Sequence, residues 1–185
     1  MGRSREGFTL IESMIVVVIV GVLSLVAVAA YRRWVQTAYL TEAQDMVKGI
    51  RAAQESFRAE NGGYVNVSKG LGPGFDYPLA TPGRSKTAWG GTCSGCNNPS
   101  TGWSALNVSA TAPLAFGYST IASLPTDTAG PSAKLTVNGK QIDLSNVTAP
   151  WYIVEADGDT NGDGVFCNVY GVSATNEVYV NNEGE

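Results

Sequence analysis

The sequence predicts an α+β chain: one long N-terminal α-helix, membrane-spanning in its first half, laid by its second half on an antiparallel β-sheet head. Three observations predict it. Residues 13–31 contain no charged side chain. Beyond them, apolar residues recur at helical steps as far as Phe57. From Pro113 to Glu185, short apolar and β-branched runs alternate with Gly, Asn and Pro turn signals. The expected divisions are a short segment at 1–7, the helix at 8–60, an irregular connection at 61–112 and the sheet at 113–185.

A bilayer core of about 30 Å calls for a helix of about 20 apolar residues, and the run from Ser13 to Tyr31 meets that need. One carboxylate, Glu12, stands at its start. A charge at membrane depth is costly without a partner. The run itself holds no cation, so the partner is sought on another subunit. Over 32–60 the residues Tyr39, Ala43, Met46, Ile50, Ala53 and Phe57 recur at steps of 4, 3, 4, 3 and 4. Glu42, Asp45, Lys48, Arg51, Glu55 and Arg58 lie between them, which is the pattern of one amphipathic helix. No proline precedes Pro73, and Asn61-Gly62-Gly63 supplies a stop. At 1.5 Å per residue the rod reaches about 80 Å.

The connection at 61–112 is dense in Gly, Pro, Ser, Thr and Asn, with Gly70-Leu71-Gly72-Pro73-Gly74 and Gly90-Gly91 as breakers. Tyr64, Phe75, Tyr77, Trp89 and Trp103 follow neither helical nor strand period. They are expected to pin an irregular loop to the head rather than to form a carbohydrate-binding patch. Cys93-Ser94-Gly95-Cys96 has too few partners for structural zinc, since the chain holds three Cys and no His. It also sits in a Gly-rich loop, not at the helix start a redox pair requires. A disulfide is expected, either Cys93 with Cys96 or one of them with Cys167. Spacing does not choose between them.

In the sheet region Leu114–Ile121 reads as a strand. Lys134–Val137 and Gln141–Leu144 flank Asn138-Gly139, a strong hairpin signal. Strands are further expected at Trp151–Glu155, Val165–Val172 and Glu177–Val180, giving an antiparallel meander of four to six strands. Between two of them Asp157, Asp159, Asn161 and Asp163 carry oxygen donors at the spacing that opens a calcium loop. Position twelve is Asn168 where a bidentate Glu is usual, and no helices flank the loop, so an EF-hand is excluded. The alternative is a polar Asp/Gly turn; both readings stand at this point.

Without histidine no Ser/His/Asp set exists, no Gly motif opens a helix onto a phosphate, and no acid/base pair stands out. An enzyme is not expected. The formal net charge is −4, and from Asn61 onward there are five Lys/Arg against ten Asp/Glu. Such a head does not present the basic surface that nucleic acid demands.

Gly7-Phe8-Thr9-Leu10-Ile11-Glu12 ahead of an apolar helix resembles the class III signal of type IV pilins and pseudopilins. The resemblance implies a leader at 1–7, a cut between Gly7 and Phe8 by a prepilin peptidase, and N-methylation of Phe8. It implies that Glu12 pairs with the Phe8 ammonium of a neighbouring subunit during assembly. An α-amino group titrates near pH 8 and a carboxylate near 4, so both are charged at neutrality. Orientation also rests on the resemblance: Arg3 and Arg5 flank one end of the span and Arg32 and Arg33 the other, so the charges do not decide it. The expectation is a subunit with its N-terminus inward and a periplasmic head, held in the inner membrane and then polymerised into an extracellular pilus for motility or adhesion. The implied partners are other pilins, the peptidase, and an assembly platform with its ATPase. The family often has a proline at the twenty-second mature residue; here that residue is Ala29. Alternatives are a pseudopilin of a type II secretion system, an adhesive or DNA-uptake pilin, and a secreted soluble enzyme cut after Ala27-Val28-Ala29. The major pseudopilins of this family bind calcium near the C-terminal sheet, which keeps calcium among the expected ligands.

Overall fold

The structure, a computed structural model, describes residues 7–79, 81–98, 102–123, 134–137, 139–144 and 149–184. Residues 1–6 of the expected leader and Asn138 of the expected turn lie outside the described residues. Helix α1 (Leu10–Asn61) runs 52 residues without interruption, through Gly21 and Ser24. Thr9 caps its start in extended backbone: its hydroxyl accepts from the Glu12 N–H, while the Glu12 side chain accepts from the Thr9 N–H. This reciprocal box satisfies donors that a helix start otherwise leaves open. Gly62 ends the helix at φ 79°, and its N–H donates to the Arg58 carbonyl. A left-handed residue at that position favours glycine.

The face of α1 turned to the head is one row off the expected stripe. Leu40, Ala43, Val47, Ile50 and Gln54 are buried, while Tyr39, Met46, Ala53 and Phe57 are partly buried at its edges. The apolar face is two rows wide, as a helix seated on a sheet requires. Gln54 is fully buried because its amide is paired on both sides. Nε2 donates to the Val65 carbonyl at 2.9 Å, and Oε1 accepts from the Val65 N–H at 3.1 Å.

Six strands follow: β1 (Gly117–Ala122), β2 (Lys134–Val137), β3 (Lys140–Asp143), β4 (Tyr152–Gly158), β5 (Cys167–Val172) and β6 (Val178–Asn181). β1, β4, β5 and β6 form one antiparallel sheet in that order, with Gly117 opposite Asp157 and Asp157 opposite Asn168. β2 and β3 pair as the expected hairpin but stand outside this sheet. The simple meander is therefore corrected. β1 and β4 are buried along their whole length and pair directly, whereas β3 exposes three of its four residues and stays peripheral. β1 also begins later than expected, because Leu114 exchanges hydrogen bonds with Thr87 instead of joining the sheet.

The two sheet faces bury different clusters, as period-two alternation dictates. Tyr118, Tyr152, Val154, Ala156 and Val169 join the buried row of α1, and Ile121, Ile153 and Val172 meet Ile142 and Leu144 on the hairpin side. Gly171 on β5 lets the helix come close: a Cβ there would lie 2.8 Å from Val47 Cγ1 and 2.5 Å from Arg51 Cδ. Arg51 then reaches across to the Thr175 carbonyl at 2.7 Å. In the connection, Tyr77, Trp89 and Trp103 pack on one another with centroids 4.9 to 6.1 Å apart, and Trp103 is buried. These aromatics anchor the loop. Cys93 is disulfide-bonded to Cys96, which leaves Cys167 a buried thiol.

Candidate functional site

Every residue from Gly7 to Trp34 is exposed in the isolated chain, including the large side chains of Phe8, Leu10, Leu25 and Trp34. α1 is long and apolar enough at this end to cross a membrane. Among the described residues nothing in the head covers this end. Gly7 and Phe8 lie just ahead of the helix, outside any regular element. Glu12 sits on the first turn, where Oε2 accepts from the Thr9 N–H at 3.0 Å and the Thr9 hydroxyl at 2.8 Å. The carboxylate is thereby turned back onto Thr9, at the N-terminal end of the rod.

Of the residues expected to open a calcium loop, Asp159, Asn161 and Asp163 share one turn. Asp159 Oδ1 accepts from the Gly162 N–H at 2.6 Å and the Asp163 N–H at 3.2 Å, and Oδ2 from the Gly164 N–H at 3.1 Å. Asn161 Oδ1 accepts from the Asp163 N–H, and Asp163 Oδ1 from the Val165 N–H, each at 2.8 Å. The turn closes on its own amides. Asp157 leaves this set: it lies on β4, wholly buried, and accepts a hydrogen bond from the Asn168 side chain. Among the described residues no group of three or more His, Cys, Asp and Glu side chains is placed to hold a metal ion. The four residues thus divide between the turn, which holds Asp159, Asn161 and Asp163, and the strand, which holds Asp157.

Asp157 instead joins Asp76 and Glu155 in a buried acidic cluster that the sequence did not disclose. The three are 0%, 2% and 4% exposed. Both Asp76 oxygens, one oxygen each of Glu155 and Asp157, and the Ser119 hydroxyl lack a hydrogen-bond donor or acceptor of good geometry. No Lys or Arg stands among the groups acting on them. Burial first, then repulsion from Asp157, pushes the Asp76 carboxyl up to about 10. Burial and the Asp157 charge push Glu155 up to about 8, although Tyr170 and the Gly72 backbone hydrogen-bond to it. Burial raises Asp157 to about 6 against the lowering effect of Asn168. Two neutral acids flanking one carboxylate is the arrangement these directions describe: a proton on Asp76 and one on Glu155 turn both into donors toward Asp157. Glu155 and Asp157 carried a sequence signal, since two acids occupy alternate positions in an otherwise apolar strand. Asp76, in the irregular connection, carried none.

Comparison with known proteins bears on the exposed rod. Residues 2–28 match the family described as the prokaryotic N-terminal methylation motif. The chain is 35% identical over 80 residues to the type II secretion system core protein G of Pseudomonas aeruginosa, covering 43% of this chain and 56% of that protein. It is 37% identical over 73 residues to a type IV major pilin protein PilE1 of Neisseria gonorrhoeae, covering 38% of this chain and 44% of that one. A type IV major pilin protein, PilA of Myxococcus xanthus, is 36% identical over 68 residues, 37% of this chain and 31% of its own length. The chain thus spans about half, or less, of the curated relatives it matches. No solved structure matches it. The chain thus carries the prokaryotic N-terminal methylation motif ahead of a long helix laid on an antiparallel sheet, and its matched part is similar to type IV pilins and to a type II secretion core protein.

Proposed function

We propose that the chain is a structural subunit of a type IV pilus, held in the inner membrane by residues 13–31 before assembly and polymerised through the same segment afterwards. The observation that carries this is the uncovered apolar rod from Phe8 to Trp34 with a lone carboxylate at its head. A leader peptidase cuts between Gly7 and Phe8 and methylates Phe8, which keeps the ammonium charged. Leaving lipid for a bundle of identical rods exchanges one apolar environment for another, so hydrophobicity alone does not set the register. Glu12 sets it by meeting the Phe8 ammonium of the neighbour. An ion pair in such surroundings is strongly felt, and removing one partner leaves the other uncompensated. Calcium has no part in this reading.

The test is Glu12→Val expressed with the full chain. The variant should be processed to a Phe8 N-terminus and remain in the membrane fraction, while its yield in sheared filaments falls at least ten-fold, the loss expected from about 1.4 kcal/mol or more per contact. Filaments at the normal yield would remove Glu12 from the register role. N-terminal sequencing that begins near Ala30 would remove the whole reading. A second reading, a pseudopilin of a type II secretion system, is favoured by the similarity to core protein G. Loss of secreted enzymes with intact surface pili in a deletion strain would select it.

A further inference from the structure

A cavity of about 360 Å³ opens where the stalk leaves the apolar span, and its wall brings Arg32 of α1 together with Arg84 of the head. Tyr31, Tyr39, Thr160 and Asn161 complete much of the lining. Arg84 lies along the closed turn, its Cδ 2.6 Å from where a Cβ on Gly162 would stand. Neither arginine is in an ion pair among the described residues; the pairs described there are Lys48–Asp45, Lys86–Glu42 and Lys140–Glu177. The nearest acids in sequence, Asp159 and Asp163, are turned to loop amides. Lys86 stands over the Tyr39 ring at 4.6 Å, its charge balanced by Glu42. Two guanidinium groups from separate elements, with phenols beside them, form the fork-like donor set that takes a phosphate.

Depth identifies where that phosphate comes from. Arg32 is the first residue after the uncharged run, and Tyr39 lies two helical turns further along. A headgroup layer of about 5–7 Å on each side of the hydrocarbon covers the start of that interval. Tyr31 and Trp34, 65% and 69% exposed, supply the aromatic belt that marks a membrane interface. We infer that the Arg32–Arg84 cavity binds the phosphate of an anionic phospholipid in the leaflet facing the head, seating an otherwise acidic head on the bilayer before assembly. This rests on the membrane-anchored reading above.

Native mass spectrometry of the full chain, released from detergent carrying phosphatidylglycerol and phosphatidylcholine in equal amounts, tests it. Phosphatidylglycerol adducts should dominate, and Arg84→Gln or Arg32→Gln should each cut their excess about five-fold, the weight of one interfacial cation. Lys48→Gln, which removes the same charge from the far part of the stalk, should leave the excess intact. Equal adducts of the two lipids, or equal loss in Lys48→Gln, overturns the site. Inorganic phosphate displacing the lipid at equal concentration overturns the lipid assignment. Flotation of the same chain with phosphatidylcholine vesicles separates the layers: flotation without phosphatidylglycerol preference defeats the cavity alone, whereas no flotation defeats the anchored reading beneath it as well.

Discussion

Raising the pH of the full chain in detergent, with divalent cations removed, should destabilise the head between the ordinary carboxylate range near 4 and the value of about 8 that Glu155 reaches when folded. The unfolded chain releases its carboxyl protons near pH 4, while the folded head retains those of Asp76 and Glu155. The folded state therefore binds more protons than the unfolded one. The stabilisation is complete below the unfolded value and is lost as pH climbs toward the folded ones. Each retained proton gives a slope of about 1.4 kcal/mol per pH unit. Counting a single retained proton gives the smallest expected change. From pH 5 to 7 the loss is then about 3 kcal/mol, or about 6–12 °C in Tm for a chain of this size. Asp76→Asn keeps the shape and holds that position neutral at every pH. It should flatten the profile, match the wild type near pH 5 and exceed its Tm near pH 8. Near-UV circular dichroism of the buried tryptophans follows the transition. A Tm that rises or stays level across this range, or an Asp76→Asn chain less stable than wild type near pH 8, would refute the protonated cluster.

Other perturbations probe the scaffold. Gly171→Val puts two γ-carbons where Val47 already presses on β5, and should cost about 1–3 kcal/mol, read by thermal melts; an unchanged Tm would mean α1 is not held that closely. Gln54→Ala strands the Val65 N–H and carbonyl under the helix and should cost about 2–3 kcal/mol, with faster hydrogen exchange at Val65 as its signature. Calcium at about 1 mM, the range of weak extracellular sites, should leave Tm where chelator leaves it. A saturable rise that Asp159→Asn abolishes would show that the Asp/Gly turn takes an ion after all.

The rod was legible because membrane physics is coarse: nineteen consecutive uncharged residues and one acid need no tertiary context to be read. The hairpin at Lys134–Asp143 was legible for a similar reason, since a turn signal is local. Its exclusion from the main sheet was not, because which strands become neighbours depends on how completely each is buried. The stripe on α1 was read one row off, as Gln54 looks like a surface residue until Val65 is seen satisfying both ends of its amide. The acidic cluster fails to show in sequence for the most basic reason. Asp76 and Asp157 are far apart along the chain, and burial of an acid is a property of the fold around it. The Asp/Gly motif drew the eye to Asp157 for its spacing with Asp159, while in the fold its carboxylate is taken up by Asn168.

An unbroken α1 from Leu10 to Asn61 has a mechanical corollary. The helix has no joint at which the head could swivel independently of its N-terminal half, so the docking of Leu40, Val47 and Ile50 on the sheet fixes the compass bearing of Glu12 about eight to eleven turns away. Twisting one end twists the other. In the filament subunit proposed above, such a rod would report the orientation of its outer surface directly to whatever grips its apolar end.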